Sequence, residues 1–391
     1  MRKDGVVSTF SVADVNAVSA RVDALAESLV ALSHGISADP ELSYEEHRAA
    51  MKCGNLLEAH GFVVEREAYG FPTSFAARLG SSGPHVVICA EYDALPGVGH
   101  ACGHNIIAAS GVGAGLALAP LVEDVGMRLT VLGTHAEESG GGKVELIEAG
   151  AFADADAALM MHPSPFDDYA PKGLSCEDWR VVYRGQASHA SSAPELGRNA
   201  LDGVVASYTS ISLLRQHFRP LQQVHGVIVD GGEAANIVPE RAEASYFLRA
   251  ASTEDLQDLR TRVRACIDAA ALATGTTVEV DVVGYLFEPV EAHPGLAAAF
   301  TAACEAIGRE YTPDPEGGSV GGSTDFGNVS QLVPGLHADM AIHSWPAVNH
   351  QHEFAAACVT EAGDRTMLDG AKALALTALA VARHPELLAT D

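Results

Sequence analysis

Positive charge is what this sequence most lacks. Its 391 residues carry 24 Lys and Arg against 51 Asp and Glu, a formal charge of −27. Nucleic acid and anionic membrane surfaces are therefore not expected partners, because both are held by basic patches. Cysteine is sparse and irregular: seven residues scattered from Cys53 to Cys358 make no disulfide framework, which points to a reducing compartment. No apolar run reaches transmembrane length, and the opening MRKDGVVSTFSVAD holds no continuous hydrophobic segment of the secretory type. A cytoplasmic protein is the expectation. What the chain does have is 48% hydrophobic residues and 38 glycines, fitting a soluble α/β protein with core enough for two domains.

The informative stretch runs from Glu91 to Asn105, EYDALPGVGHACGHN, directly after the buried-strand pattern VVICA. A strand that ends in a turn loaded with ligand-type residues is how α/β proteins present a site at the carboxyl edge of a sheet. Only Gly103 separates Cys102 from His104, and glycine tolerates the positive φ that turns both side chains inward. Sulfur with imidazole suits zinc and similar borderline-soft ions.

Two more apparent strands end the same way. RLTVLGTHAEE finishes in Glu137 and Glu138, and AALMMHP finishes in His162. Chance placement would not keep putting such residues at the same end of successive buried strands. Before them, residues 15 to 34 predict a helix stopped at Gly35, and Ser43 with Glu46 has capping-box spacing for a helix running towards His60. No extended disordered tract is expected beyond the first dozen residues.

Near residue 177 the pattern changes to strand, helix, strand, strand, helix, strand, the order of a ferredoxin-like unit. The expected architecture is thus an α/β catalytic domain with a mixed, mostly parallel sheet flanked by helices, made of residues 1–176 and 289–391. A ferredoxin-like α+β domain, 177–288, is inserted in it. The second part resumes with an Ala-rich helix after His293, passes through GGSVGGSTDFGNVSQ and closes in a long helix from about Asp364 to His384.

Cys102, His104, Glu138, His162 and one C-terminal histidine would be five ligands, enough for two divalent ions with one bridging group. Glu137, beside a ligand yet free, is the candidate base. His337, His343, His350 and His352 all compete for the last ligand position. In the inserted domain, His189 and Asn236 could donate to an oxyanion and Arg249 could pair with a substrate carboxylate. His189 and Asn236, beside turns, could equally satisfy backbone groups.

Taken together, ADPELSYEE, HACGHN, AEESGGG, MHP, GQASHASSAPELGRNAL and NIVPE resemble the aminoacylase and glutamate-carboxypeptidase superfamily of metallopeptidases, in its amidohydrolase branch. The resemblance implies Cys102, His104, Glu138 and His162 as metal ligands and Glu137 as base. It favours His350, four residues before Phe354, as the last ligand, with His352 the alternative. It further implies His189 reaching into a partner subunit's site, Asn236 and Arg249 on the substrate, and Asp93 orienting the site from behind the ligands. Two divalent ions per chain, Zn2+ or Mn2+, and a homodimer joined through the inserted domain follow. The substrate would be a small molecule with a free carboxylate, an N-acyl or N-aminoacyl amino acid cleaved by metal-held hydroxide. Asn105 and Glu91, where many members of the branch have Asp, place the chain nearer the aminobenzoyl-glutamate hydrolase and β-alanyl-lysine dipeptidase subgroup. Two alternatives stand beside this reading: a peptidase that needs a free N-terminus, and a catalytically silent metal- or ligand-binding relative.

Overall fold

The computed structural model describes residues 10–317 and 322–389. Its strands are β1 (Val63–Arg66), β2 (Phe75–Leu79), β3 (His85–Glu91), β4 (Arg128–Thr134), β5 (Ala157–Ser164), β6 (Ser175–Arg184), β7 (Gln223–Asp230), β8 (Arg241–Ala250), β9 (Thr277–Phe287) and β10 (Gly335–Ala341). The helices are α1 (Val12–Ser37), α2 (His47–Ala59), α3 (His104–Leu118), α4 (Val122–Val125), α5 (Gly142–Glu148), α6 (Ala200–Leu214), α7 (Thr253–Thr274), α8 (Pro294–Ala306), α9 (Phe326–Leu332), α10 (His352–Ala357) and α11 (Glu361–Arg383). The described residues form two compact units, one of residues 10–172, 290–317 and 325–389, the other of 173–289 and 322–324.

The first unit is α/β. Its sheet runs β1-β2-β4-β3-β5-β10, parallel from β4 to β10 and antiparallel at the β1-β2 end. Parallel strands covered on both faces read as unbroken apolar runs, and every residue of β3 is buried. Val86, Ile88 and Ala90 of that strand pack with α1, α3, α8 and α11, whereas Val87 and Cys89 face a second cluster built on α5 and α9. α3 is buried along its whole length. That is possible because its residues are small: Gly113 lies where a side chain would overlap Leu29 of α1 and Ala371 of α11.

The second unit is a four-stranded antiparallel sheet, order β7-β8-β6-β9, with α6 and α7 packed on it around Trp179, Tyr183, Tyr246 and Leu259. This is the ferredoxin-like order the sequence predicts. Among the described residues no helix is long and apolar enough to cross a membrane.

Two local expectations fail. α1 runs through Gly35 to Ser37, because His34 and Ile36 carbonyls are capped by the Ala38 N–H and the glycine needs no left-handed turn there. The expected capping box is absent: α2 starts after Glu46, whose side chain does not cap it, and the Glu41 carboxylate accepts the Arg48 and Ala49 N–H groups instead. Ser43 and Glu46 are drawn instead to partners far along the chain. Of the tract expected to be disordered, residues 1–9 lie outside the described residues, while Ser11 already caps α1.

Candidate metal centre

The carboxyl ends of β3, β4 and β5 bring the candidate residues together. β3 leads into the loop that carries Asp93 and Cys102, and Gly103 takes φ +80° as the N-cap of α3, so that His104 opens the helix pointing back at the sheet. A β-carbon at Gly103 would overlap the Pro163 ring, so both the conformation and the space demand glycine.

Asp93 organises the next layer. Its Oδ1 accepts the His104 Nδ1–H at 2.9 Å, and its Oδ2 accepts both the Ser43 hydroxyl and the Glu138 backbone N–H, each at 2.9 Å. The turn before Glu137 is held from another side. Ala136 sits at φ +51° with its N–H on Glu46 Oε1 at 2.8 Å. Glu137 and Glu138 are thereby fixed at the end of β4 by two buried carboxylates.

Bonding partners then decide which atoms are left over. His104 donates from Nδ1 to Asp93, and His162 donates from Nδ1 to the Pro163 carbonyl at 2.9 Å, so each ring keeps a bare Nε2 lone pair. The His162 Nε2 lies 3.5 Å from Cys102 Sγ. The His104 Nε2 lies 3.7 Å from Glu138 Oε1 and 4.0 Å from Glu137 Oε2, and neither it nor Glu138 Oε1 has a hydrogen-bond partner despite full burial. His350, at φ +70°, is tied to the Cys102 loop by its N–H on the Ala101 carbonyl at 2.8 Å, and its Nε2 stands 3.7 Å from Glu138 Oε2.

Three ligand triads result: Cys102, His104 and His162; Cys102, Glu138 and His350; His104, Glu137 and Glu138. His104 Nε2 and Glu138 Oε1, buried with no hydrogen-bond partner, cost several kcal/mol, roughly, unless a cation lies between them. The residues therefore fit divalent metal, and the mixed sulfur, nitrogen and oxygen set suits a borderline ion such as zinc. His352, the alternative last ligand, is the first residue of α10 and belongs to none of the triads.

The electrostatics suit a site for a cation. Burial, then the charges of Glu91 and Glu138, push the Glu137 carboxyl well above the usual carboxylate range. Burial likewise raises the Cys102 thiol. Burial above all brings His162 down to about 3, which keeps it neutral and able to act as a ligand.

Beneath the ligands lies an ion-pair triad that sequence reasoning did not find. Lys143 of α5, with no exposed surface, is paired with Glu91 and lies 2.6 Å from Asp325 Oδ1, while its own N–H reaches Asp325 Oδ2 at 2.8 Å. Glu91 Oε2 is 3.5 Å from His104 Nε2. Nothing local marks Lys143, which simply follows three glycines.

His189, Asn236 and Arg249 belong to the second unit. His189 and Asn236 are exposed, joined through the Ala190 N–H on the Asn236 carbonyl at 3.0 Å. His189 Nδ1 accepts the N–H groups of Ser191 and Ser192 at 3.2 Å each, which leaves its Nε2 to carry any proton. Arg249 Nη1 donates to Ser323 Oγ at 3.1 Å.

Residues 87–380 match the model of peptidase family M20/M25/M40. The chain is 42% identical over 384 residues to an Xaa-Arg dipeptidase of Mus musculus, covering 94% of this chain and 89% of that one. It is 35% identical over 263 residues to one subunit of the p-aminobenzoyl-glutamate hydrolase of Escherichia coli, covering 61% and 54%. Among solved structures, an aminobenzoyl-glutamate utilization protein from Klebsiella pneumoniae aligns with a TM-score of 0.71 at 18% identity, over 92% of this chain and 96% of that chain. A dinuclear metal-binding peptidase from Bacillus subtilis aligns with 0.68 at 21% identity, over 91% and 99%.

Proposed function

The chain belongs to peptidase family M20/M25/M40 and is a metal-dependent hydrolase, and on that footing we propose that it cleaves the amide between an acyl or aminoacyl group and an amino acid with a free carboxylate. The observation that carries this reading is the convergence of two imidazole Nε2 atoms, a thiol and the unpartnered Oε1 of buried Glu138 beside Glu137. Cys102, His104, Glu138, His162 and His350 would hold two divalent ions, Zn2+ or Mn2+, with Asp93 fixing the ring of His104.

Bound there, such ions supply Lewis acidity and lower the pKa of a water molecule to about 7. Glu137 takes the proton from that water at its free oxygen and returns it to the departing nitrogen. The second unit supplies binding: Arg249 pairs with the substrate carboxylate, Asn236 contacts the amide, and the partner subunit's His189 donates from Nε2 to the developing oxyanion. This requires a homodimer joined through residues 177–288. Exposed Val227, Val229, Phe247 and Val283 on that domain's sheet support it. Seven free cysteines suit the reducing cytoplasm we propose as its place of work.

The test is metal content and turnover on one preparation, apo and reloaded with zinc, manganese or cobalt, against N-acyl amino acids, aminobenzoyl-glutamate and dipeptides. About two ions per chain with metal-restored cleavage is the expected result. A second reading, a dipeptidase that needs a free amine, is favoured by the mouse relative being an Xaa-Arg dipeptidase; blocked and free N-termini in the same panel separate the two.

A further inference from the structure

Asn349 stands on the loop after β10, one residue before His350, and its side-chain nitrogen touches the ligand cluster at two points. Nδ2 lies 3.2 Å from the Pro163 carbonyl oxygen and 3.9 Å from Cys102 Sγ. The neighbours fix which way the amide faces. A backbone carbonyl can only accept, so the end turned towards it is the NH2 group, whose two protons can serve two acceptors at once.

Both acceptors matter to the cluster. The Pro163 carbonyl also takes the His162 Nδ1–H at 2.9 Å, the bond that leaves the His162 Nε2 lone pair bare. With one lone pair on His162 and the other on Asn349, that oxygen is held from both sides. Cys102 Sγ belongs to two of the three ligand triads and lies 3.5 Å from His162 Nε2. The contacts therefore close a ring that runs from the Cys102 sulfur to the His162 imidazole, the Pro163 carbonyl, the Asn349 amide and back to the sulfur.

The backbone brings the amide to this place by a separate bond. The N–H of His350 is on the Ala101 carbonyl at 2.8 Å, next to Cys102 in the chain. That bond fixes where the segment lies, and it would survive an apolar side chain at 349. What the amide adds is a donor aimed at sulfur. Thiolate is the form of cysteine that binds metal, and ionised acceptors take shorter hydrogen bonds than neutral ones, so the 3.9 Å contact should tighten when Cys102 is ionised. A donor on the sulfur stabilises its lone pairs and tempers what it gives to an ion.

We propose that Asn349 is a positioning residue of the metal centre: one N–H goes to the Cys102 thiolate and the other to the Pro163 carbonyl, so that one amide sets the donor strength of the sulfur and the aim of His162. This rests on the reading of Cys102 and His162 as ligands, and its test tells the two apart.

Protein loaded with cobalt reports on the sulfur directly, through the near-ultraviolet charge-transfer band from thiolate to metal. Asn349→Asp and Asn349→Leu keep the approximate size of the side chain and remove the amide donor. In both, the band should move to longer wavelength, because the sulfur lone pairs lose their stabilising proton. Competition with a chromophoric chelator should show zinc held about 10- to 100-fold more weakly, the range for loss of a partner to a ligand. Variants that melt at lower temperature yet keep the wild-type band position and zinc affinity would make Asn349 a residue of structure alone and overturn the proposal. A crystal structure of the zinc-loaded wild type tests it without any variant: Nδ2 is expected on both Cys102 Sγ and the Pro163 carbonyl, and an amide turned away from the sulfur overturns it. Wild-type protein that takes up cobalt with no charge-transfer band would remove Cys102 from the ligands, and the reading beneath this one would fall with it.

Discussion

Asp93 and His104 are joined by a 2.9 Å hydrogen bond from imidazole Nδ1 to carboxylate Oδ1, and the other oxygen of the same carboxylate holds the backbone N–H of Glu138. One side chain thus sets the tautomer of one proposed ligand and the position of another. Asp93→Ala should lower metal affinity by about 10- to 100-fold, the range for loss of such a supporting partner. Competition with a chromophoric chelator measures it; an unchanged affinity would show that the ligands are held by other means.

Glu137→Gln removes the proposed base and keeps the shape. Metal content should stay at the wild-type level while kcat falls by about 100-fold or more. A variant within tenfold of wild type would take the proton-transfer role away from Glu137.

Gly103→Ala is a test of backbone geometry. At φ +80°, with the Pro163 ring in the way, a methyl group forces either strain or a shift of the loop that aims Cys102 and His104. The expectation is a loss of about 1–3 kcal/mol of stability together with impaired metal uptake. Denaturant titration and metal analysis report the two effects separately, and wild-type values in both would contradict the geometry described.

Lys143→Met leaves Glu91 and Asp325 facing each other without their cation. Removing one member of a buried ion pair costs about 3–5 kcal/mol. A destabilisation under 1 kcal/mol would mean that the remaining acids share a proton at no cost.

Glu46 gives a pH dependence with a definite sign. Burial first, and the charge of Asp93 second, raise its carboxyl from 4.5 to about 7. The folded chain therefore holds that proton more tightly than the unfolded one. The contribution of Glu46 is most favourable below 4.5, falls as pH rises towards 7, and is flat above. Glu46→Gln cannot ionise and still offers an oxygen to the Ala136 N–H. Its stability relative to wild type should increase by about 2–3 kcal/mol between pH 4.5 and pH 8. Parallel unfolding curves at the two pH values check this, and a constant difference would contradict it.

Much of this was legible in the sequence because strand ends and site residues coincide there. VVICA, RLTVLGT and AALMM are apolar runs that stop at the ligand types, and their order implied a shared edge before any strand was paired. α7, Thr253–Thr274, was equally readable from its periodicity and its Gly275 stop. What was not legible depends on long-range pairing. Ser43 and Glu46 have the spacing of a local cap, but the buried Asp93 and the turn at Ala136 are stronger partners than the helix end. β10, GLHADMA, lacks a clean strand pattern because a histidine and an aspartate interrupt its apolar run, and those two residues share the face of His162. Lys143 and Asp325 lie 182 residues apart, beyond the reach of any local pattern.

The tie between the Ala101 carbonyl and the His350 N–H has a consequence for biosynthesis. Residues from the first third of the chain and from near its end must meet before the cluster is complete, so a nascent chain lacking the segment after β10 has only a partial set of donors. On the proposed ligand set, complete ion loading falls after translation of that segment. Occupancy becomes a readout of finished synthesis.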